Sequence, residues 1–461
     1  MPNSPQEVLV ACREHDVKVI ALRAADLQGR WQQMTVPVSR LTNDSFEDGF
    51  LWTGGNLNCA GADVGDLLWM PQPETAFVEP FAEIPTLSIL CNLYDPLTRE
   101  ELPGDPRSIA GQSLRYLVDA GVAESALMSA EIEFFLVDSK AARRTRPATR
   151  EPASVYDEHT EQRWQDQVRD WRRGYAVDPA ADFRDMVMQT LIDCGVEVDS
   201  HRQAGGDRIK GQVTLSEADP LTIADRLLIA KHVIKRAAAR VGKAATFMPT
   251  PPGTSGSAGL HLQLSLVKHG ASVLAGAGYA GLSDVGLHAI GGLLTHARAL
   301  CAFTNASTNS YARLAAGDGA PSVLGYSEAD VRTVVRIPSV QPGGRSKQLE
   351  LRLPDSSGNP YLSAAAVLMA AIDGVQNKLS PGEPAAAQWE GDRAELTDFA
   401  RLPHSLDEAL DGLSDDGEFL LRGDVFSHEL LESWISWKQT SEIAKLRAQP
   451  HPIETAMYFD V

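Results

Sequence analysis

Two hydrophobic rhythms run along this chain. A two-residue period marks strands, whose successive side chains leave opposite faces, and a period near 3.6 marks helices. "KVIALRAADLQGRWQQMTVP" (18–37) reads as two strands around an Asp-Leu-Gln-Gly turn. "LTIADRLLIAKHVIKRAAARVG" (221–242) carries the helical rhythm in Leu227, Ile234, Ala238 and Val241. Thr222, with Asp225 three residues on, predicts its cap, and Gly242 its end. "NPYLSAAAVLMAAIDGVQNKL" (359–379) is apolar nearly all round and predicts a buried helix. Another helix is expected near 183–195. Between it and a strand at 131–137 lies a polar, arginine-rich stretch beginning "SKAARRTRP". It reads as a surface excursion or partly disordered loop, with phosphate binding by its arginines as the other reading.

"DPLTREELPGDPRS" is the strongest break in the chain and predicts a boundary between residues 1–105 and 106–461. Short strands and turns after one helix fill the first part. Helices and strands mix irregularly in the second, which predicts an α+β fold and not regular βαβ repeats.

The 461 residues suggest two or three domains by length. With 42 basic against 61 acidic residues, the net charge of −19 argues against nucleic acid or an anionic membrane as the main partner. Five scattered cysteines without a CxxC pair suit buried thiols in a reducing compartment. No signal peptide and no apolar run of membrane-spanning length is evident, so a cytoplasmic protein is expected.

"AEIEFFL" (130–136) is a strand-like run broken by two acids. Alternation puts Ala130, Ile132 and Phe134 on one face and Glu131, Glu133 and Phe135 on the other. Neighbouring carboxylates repel, so they are either solvated on a half-exposed strand or neutralised by something cationic. Three other stretches combine polar groups with glycine. "MPTPPGTSGSAGLHLQLSL" (248–266) leads a loop into a strand with His261 and Gln263 on one face, a composition that is structural or allows close approach to a ligand. "TNASTNSYARLAAGDGAP" sets Arg313 just before a glycine turn. "DVRTVVRIPSVQPGGRSKQLELRLPDSSGNPY" holds Arg332, Arg336, Arg345 and Lys347, then Glu350 and Arg352 two apart. Clustered arginines in an acidic protein call for an anionic partner such as phosphate or carboxylate. Carboxylates with one imidazole suit Mg²⁺ or Mn²⁺.

With these stretches in order, and the closing "HPIETAMYFDV", the chain resembles the glutamine synthetase family, specifically its bacterial type I branch. The resemblance runs from about residue 15 to the end. It implies a small N-terminal β-grasp domain and a large catalytic domain whose curved antiparallel sheet carries two divalent metals between ATP and substrate. It also implies a homo-oligomer of two stacked hexameric rings, a dodecamer. The chemistry implied is ATP-dependent amide formation through an acyl phosphate.

By the same resemblance Glu131, His261 and Glu350 match the nucleotide-side metal ligands, and Glu133 a ligand of the second metal. Arg336 and Arg352 match arginines on the transferring phosphate, and Arg345 stands where the family has a lysine near the phosphates. Arg313 matches the arginine on the substrate's α-carboxylate, with Gly259 beside it in substrate binding. Other positions depart from the pattern. Of the second metal's glutamates, one becomes Thr214 after Gly211-Gln212. The other falls on Ala204 or Gly206, with Asp207 the nearest carboxylate. A lone carboxylate holds Mg²⁺ poorly. Glu133 is thereby left to a different cation, the substrate amine among them, or to no role. Gly319 replaces the loop glutamate that guards the ammonia pocket, the ammonium-side aspartate is replaced around Thr53, and Thr250 replaces a lysine. Arg332 is one residue out of step, and Phe399 lies where the adenylylated tyrosine would be.

The departures gather on the metal and ammonium side. They favour a ligase joining glutamate or a related acid to an amine other than ammonia. An inactive oligomeric scaffold or ligand sensor is the alternative, and a metal-dependent phosphotransferase the second alternative.

Overall fold

The computed structural model describes residues 2–52, 65–138, 178, 180–205, 210–252, 254, 256–317, 319–328, 330–339, 347–385 and 401–449. Two sheets organise them. The first contains β1 (Val19–Ala25), β2 (Trp31–Pro37), β3 (Phe50–Trp52), β4 (Leu67–Pro71), β5 (Phe77–Val78) and β6 (Thr86–Tyr94), in the order β2-β1-β6-β4-β3 with β5 on β6. The expected pair around the Asp-Leu-Gln-Gly turn is β1 and β2, closed by Asp26, whose carboxylate accepts the N–H of Gln28 and Arg30, each at 2.9 Å. Ile20, Leu22, Trp69, Ile89 and Leu93 fill this sheet's own core, with Val8 of the helix Pro5–Glu14.

The second sheet contains β7 (Ser125–Asp138), β8 (Val198–Gln203), β9 (Lys210–Ala218), β10 (Lys243–Thr246), β11 (Leu260–Lys268), β12 (Ala271–Ser272), β13 (Val323–Glu328), β14 (Thr333–Ile337) and β15 (Leu349–Leu351). Its order is β13-β14-β15-β11-β7-β9-β8, with β10 on β7 and β12 on β11. Pairing is antiparallel except between β13 and β14, among the described residues. Alternation sorts the strands by face. Ala130, Ile132, Phe134, Val213, Leu215, Leu260, Leu262 and Leu264 are all buried in one continuous core with Ile229, Val233 and Ala237 of the helix Pro220–Arg240.

That helix is capped differently from the expectation. Asp219, not Thr222, is the cap; its carboxylate accepts the Thr222 N–H at 3.0 Å and the Thr222 hydroxyl at 2.6 Å. The physical reason is Pro220, which has no N–H to lose and suits the first helical position, so the cap falls one residue before it. Asp225 is instead the partner of Arg107, whose guanidinium reaches both its oxygens at 3.0 and 2.9 Å. The helix Pro360–Asn377 is buried on fourteen of its eighteen residues. It passes the helix Asp284–Thr295 so closely that a Cβ on Gly292 would stand 2.0 Å from the Ala370 carbonyl oxygen.

The helix expected near 183–195 is Ala181–Asp193, and the strand expected at 131–137 begins earlier, at Ser125. The arginine-rich stretch that follows it lies outside the described residues. Cys12, Cys91, Cys194 and Cys301 are free and buried. No helix among the described residues is long and apolar enough to cross a membrane.

Candidate active site

The face of the second sheet turned away from the apolar core carries its chemistry. Register alone assembles it, because residues directly opposite in antiparallel strands point the same way. Glu131 of β7 faces His261 of β11 on one side and Thr214 of β9 on the other. Glu133 faces Gln212, which faces Arg202 of β8. Glu350 of β15 faces Gln263 of β11 and Arg336 of β14.

Glu131 is anchored from both flanks. Its Oε1 accepts the Gln263 amide at 3.1 Å and its Oε2 the Gln212 amide at 2.6 Å. His261 Nδ1 comes within 3.5 Å of Glu131 Oε2 and 3.7 Å of Glu350 Oε1. Those approaches lack hydrogen-bond geometry, so the buried Nδ1 has no hydrogen-bond partner. Burial pushes the Glu131 carboxyl up, and the neighbouring His261 imidazole with the Arg202 and Arg336 guanidiniums overcomes it, holding its pKa at about 2. Glu350 is gripped by two arginines. Arg336 Nε donates to Oε2 at 2.7 Å, and Arg352 Nη1 to Oε1 at 2.5 Å. Among the described residues, therefore, no three acidic, imidazole or thiol side chains surround a ready-made metal position.

Arg352 is further tied by donating to the Val331 carbonyl oxygen at 2.9 Å and that of Gly319 at 3.4 Å. Arg313 is 1% exposed. Its guanidinium donates to the carbonyl oxygens of Leu353 (2.8 Å) and Arg352 (3.0 Å). Gly259 is what lets it lie there, since a Cβ would stand 2.6 Å from Arg313 Nη2. Burial pulls the Arg313 pKa down, against the charges of Asp355 and Glu133.

Glu133 has the partner for which the sequence left several candidates. Lys210 Nζ lies 2.9 Å from its Oε2, which also accepts the Gly259 N–H at 2.7 Å. Burial raises the Glu133 carboxyl, and Lys210, His261 and that N–H bring it below its ordinary value. Gln212 and Gln263 stand in the sequence motifs without a role attached to them, and Lys210 falls outside those motifs. Period-two counting finds them: Lys210, Gln212 and Thr214 share a face of β9, as His261 and Gln263 share one of β11. Thr214 stands beside Glu131, and Ala204 is buried on the β8 side, its N–H bonded to the Lys210 carbonyl. Arg345, Gly206, Asp207, Thr53, Phe399 and the closing "HPIETAMYFDV" lie outside the described residues.

Comparison with known proteins agrees with this construction. Residues 16–96 match the family profile "Glutamine synthetase, beta-Grasp domain", and residues 103–458 match "Glutamine synthetase, catalytic domain". The glutamine synthetase of Aquifex aeolicus is 36% identical over 99% of both chains, and that of Haemophilus influenzae 37% over the whole of both. Among solved structures, Plasmodium falciparum glutamine synthetase superposes with a TM-score of 0.83 at 22% identity, over 99% of this chain and 98% of that one, a likeness of fold. An ADP complex of GmaS superposes at 0.79 and 25% identity, over 98% of this chain and 99% of that one. The architecture is thus a β-grasp domain beside a large α+β catalytic domain, that of an ATP-dependent ligase family. The chain belongs to the glutamine synthetase family.

Proposed function

We propose that this chain is an ATP-dependent ligase that activates the side-chain carboxylate of glutamate or a related acid as an acyl phosphate and joins it to an amine other than simple ammonia. The observation that carries the reading is the convergence of Glu131, His261 and Glu350 with Arg336 and Arg352 on one sheet face.

ATP and Mg²⁺ or Mn²⁺ are the cofactors in this reading. The donor set fits a hard divalent cation: two carboxylates that keep unused lone pairs, and an imidazole whose Nδ1 is buried without a partner. A divalent ion held there would offset phosphate charge. Arg336, with 27% of its side chain exposed, and Arg352 would exchange Glu350 for phosphate oxygens, stabilising charge as it moves from the terminal phosphate to the leaving ADP. Arg345 would assist from outside the described residues. Arg313, with Gly259 giving it room, would hold the acid's α-carboxylate. The carboxylate oxygen attacks the terminal phosphorus as ADP leaves; the amine nitrogen then displaces phosphate at the carbonyl carbon. An amine other than ammonia is favoured by Gly319 and by the replacement around Thr53, where by the resemblance carboxylates that would draw in an ammonium ion are lost. The partners are small molecules and further copies of this chain, in a cytoplasmic dodecamer of two hexameric rings.

A second reading, the inactive scaffold, is supported by Thr214 at the position facing Glu131. ADP release measured with Mg²⁺ or Mn²⁺, glutamate and a panel of amines separates the readings. Release that requires the amine is the expected result. Release with the acid alone would make the chain a phosphotransferase, and ATP binding without release would make it a scaffold.

A further inference from the structure

We infer that the Lys210 ammonium is the built-in cation of the Glu133 half of this site, standing where a second divalent ion would otherwise sit, so that the chain takes up one divalent ion and not two. This rests on the reading of Glu131, His261 and Glu350 as ligands of the retained ion.

The geometry is that of a finished pair. Lys210 Nζ and the Gly259 N–H converge on Glu133 Oε2 at 2.9 and 2.7 Å. The Lys210 and Glu133 side chains are only 10% and 11% exposed. Lys210 lies on β9 two residues before Gln212, the direct partner of Glu133, a diagonal that a long side chain spans.

A hard dication needs several charged oxygens around it. The neighbouring positions of β9 offer Gln212 and Thr214, both neutral. The Gln212 amide is already committed, donating to Glu131 and accepting from Arg202 at 2.9 Å. Just beyond Gly259 lies the Arg313 guanidinium. Among the described residues, a dication added at Glu133 would therefore face two fixed positive charges while gaining one carboxylate. An ammonium is a compact charge with three donors, and on its own strand it is present whatever the metal concentration. With Glu133 neutralised in place, that carboxylate does not serve as a trap for an ammonium group, which agrees with a ligase that uses another amine.

The test is the number of Mn²⁺ ions bound per full-length chain, counted by electron paramagnetic resonance with saturating ADP and no acid or amine. One ion is expected for the wild type. The double variant Lys210→Ala/Thr214→Glu, which removes the ammonium and returns a carboxylate, should bind a second. Two ions on the wild type, or none, would overturn the inference, and that count stands even where the double variant does not fold. The count involves no turnover. A chain that binds one ion but releases no ADP keeps this inference and loses the proposed function, whereas an active chain with two ions does the reverse.

Discussion

Glu350 concentrates more of the site's electrostatics than any motif suggests. It is 1% exposed, its oxygens are shared between Arg336 and Arg352, and His261 Nδ1 stands 3.7 Å away. Removing its charge strands two guanidiniums, one of them buried, and breaking such pairs costs a few kcal/mol. Glu350→Gln should therefore lower stability by about 2–4 kcal/mol, scaled down from a fully buried pair because Arg336 is partly exposed. It should also weaken Mn²⁺ binding at least about tenfold, ~1.4 kcal/mol. Urea unfolding and Mn²⁺ titration read the two effects; unchanged Mn²⁺ affinity would remove Glu350 from the ligand set. Gly259→Ala tests the arginine beyond it. The new Cβ meets Arg313 Nη2 at 2.6 Å, so the guanidinium must leave the Leu353 and Arg352 carbonyls. Overpacking of this kind costs about 1–3 kcal/mol. The acid's KM should rise at least about tenfold, and an unchanged KM would detach Arg313 from acid binding.

At the scale of elements, what supports the site is a set of helices clamped by buried polar groups. His296 joins the helices Asp284–Thr295 and Ala297–Thr304. Its Nε2 meets Asp373 at 3.0 Å, its Nδ1 meets Asp416 at 2.8 Å, and its ring stacks on Phe419. Burial pulls its pKa down, but the two aspartates raise it to about 9. An unfolded histidine titrates near 6.5, so the native state holds this proton more tightly. The stabilisation, about 3 kcal/mol at most, is complete below pH ~6.5 and is lost as pH rises through about 9. Thermal melts of the wild type against His296→Gln should diverge most at pH 6 and converge by pH 10. Parallel curves across that range would show that His296 is not the group responsible. Element identity was largely legible beforehand: the helix 359–379 came from its apolar run, and β7 from its alternation. The cap at Asp219, three residues before Thr222, is legible too, through Pro220.

Over the whole molecule, contacts between distant segments fix the small sheet against the catalytic part. Asn359 Nδ2 donates to the carbonyls of Asp26 and Leu27 at 3.0 and 3.2 Å. Glu79 joins Arg23 of β1 to His232 of the helix Pro220–Arg240, and these charges, against the opposing effect of burial, hold its pKa at about 2. Leu51, Ile84 and Leu97 are exposed on the small-sheet side, and in the proposed ring assembly a neighbouring subunit would cover them. Light scattering should find about 600 kDa, the mass of twelve 49.8 kDa chains. A mass near that of one chain would sink the proposed ring assembly.

The sequence by itself determined the alternation that gives each strand an apolar and a chemical face, the order of its motifs, and the positions of Glu131, His261 and Glu350 as candidates. These are local patterns or matches at fixed positions, and no knowledge of pairing is needed to read them. Tertiary structure decided which charges meet. Glu133 finds Lys210 across a strand pairing between segments some seventy residues apart, Glu350 takes two arginines at once, and Arg313 turns inward past Gly259. Register and burial set those partners, and a one-residue slip between β7 and β9 would turn Lys210 to the opposite face.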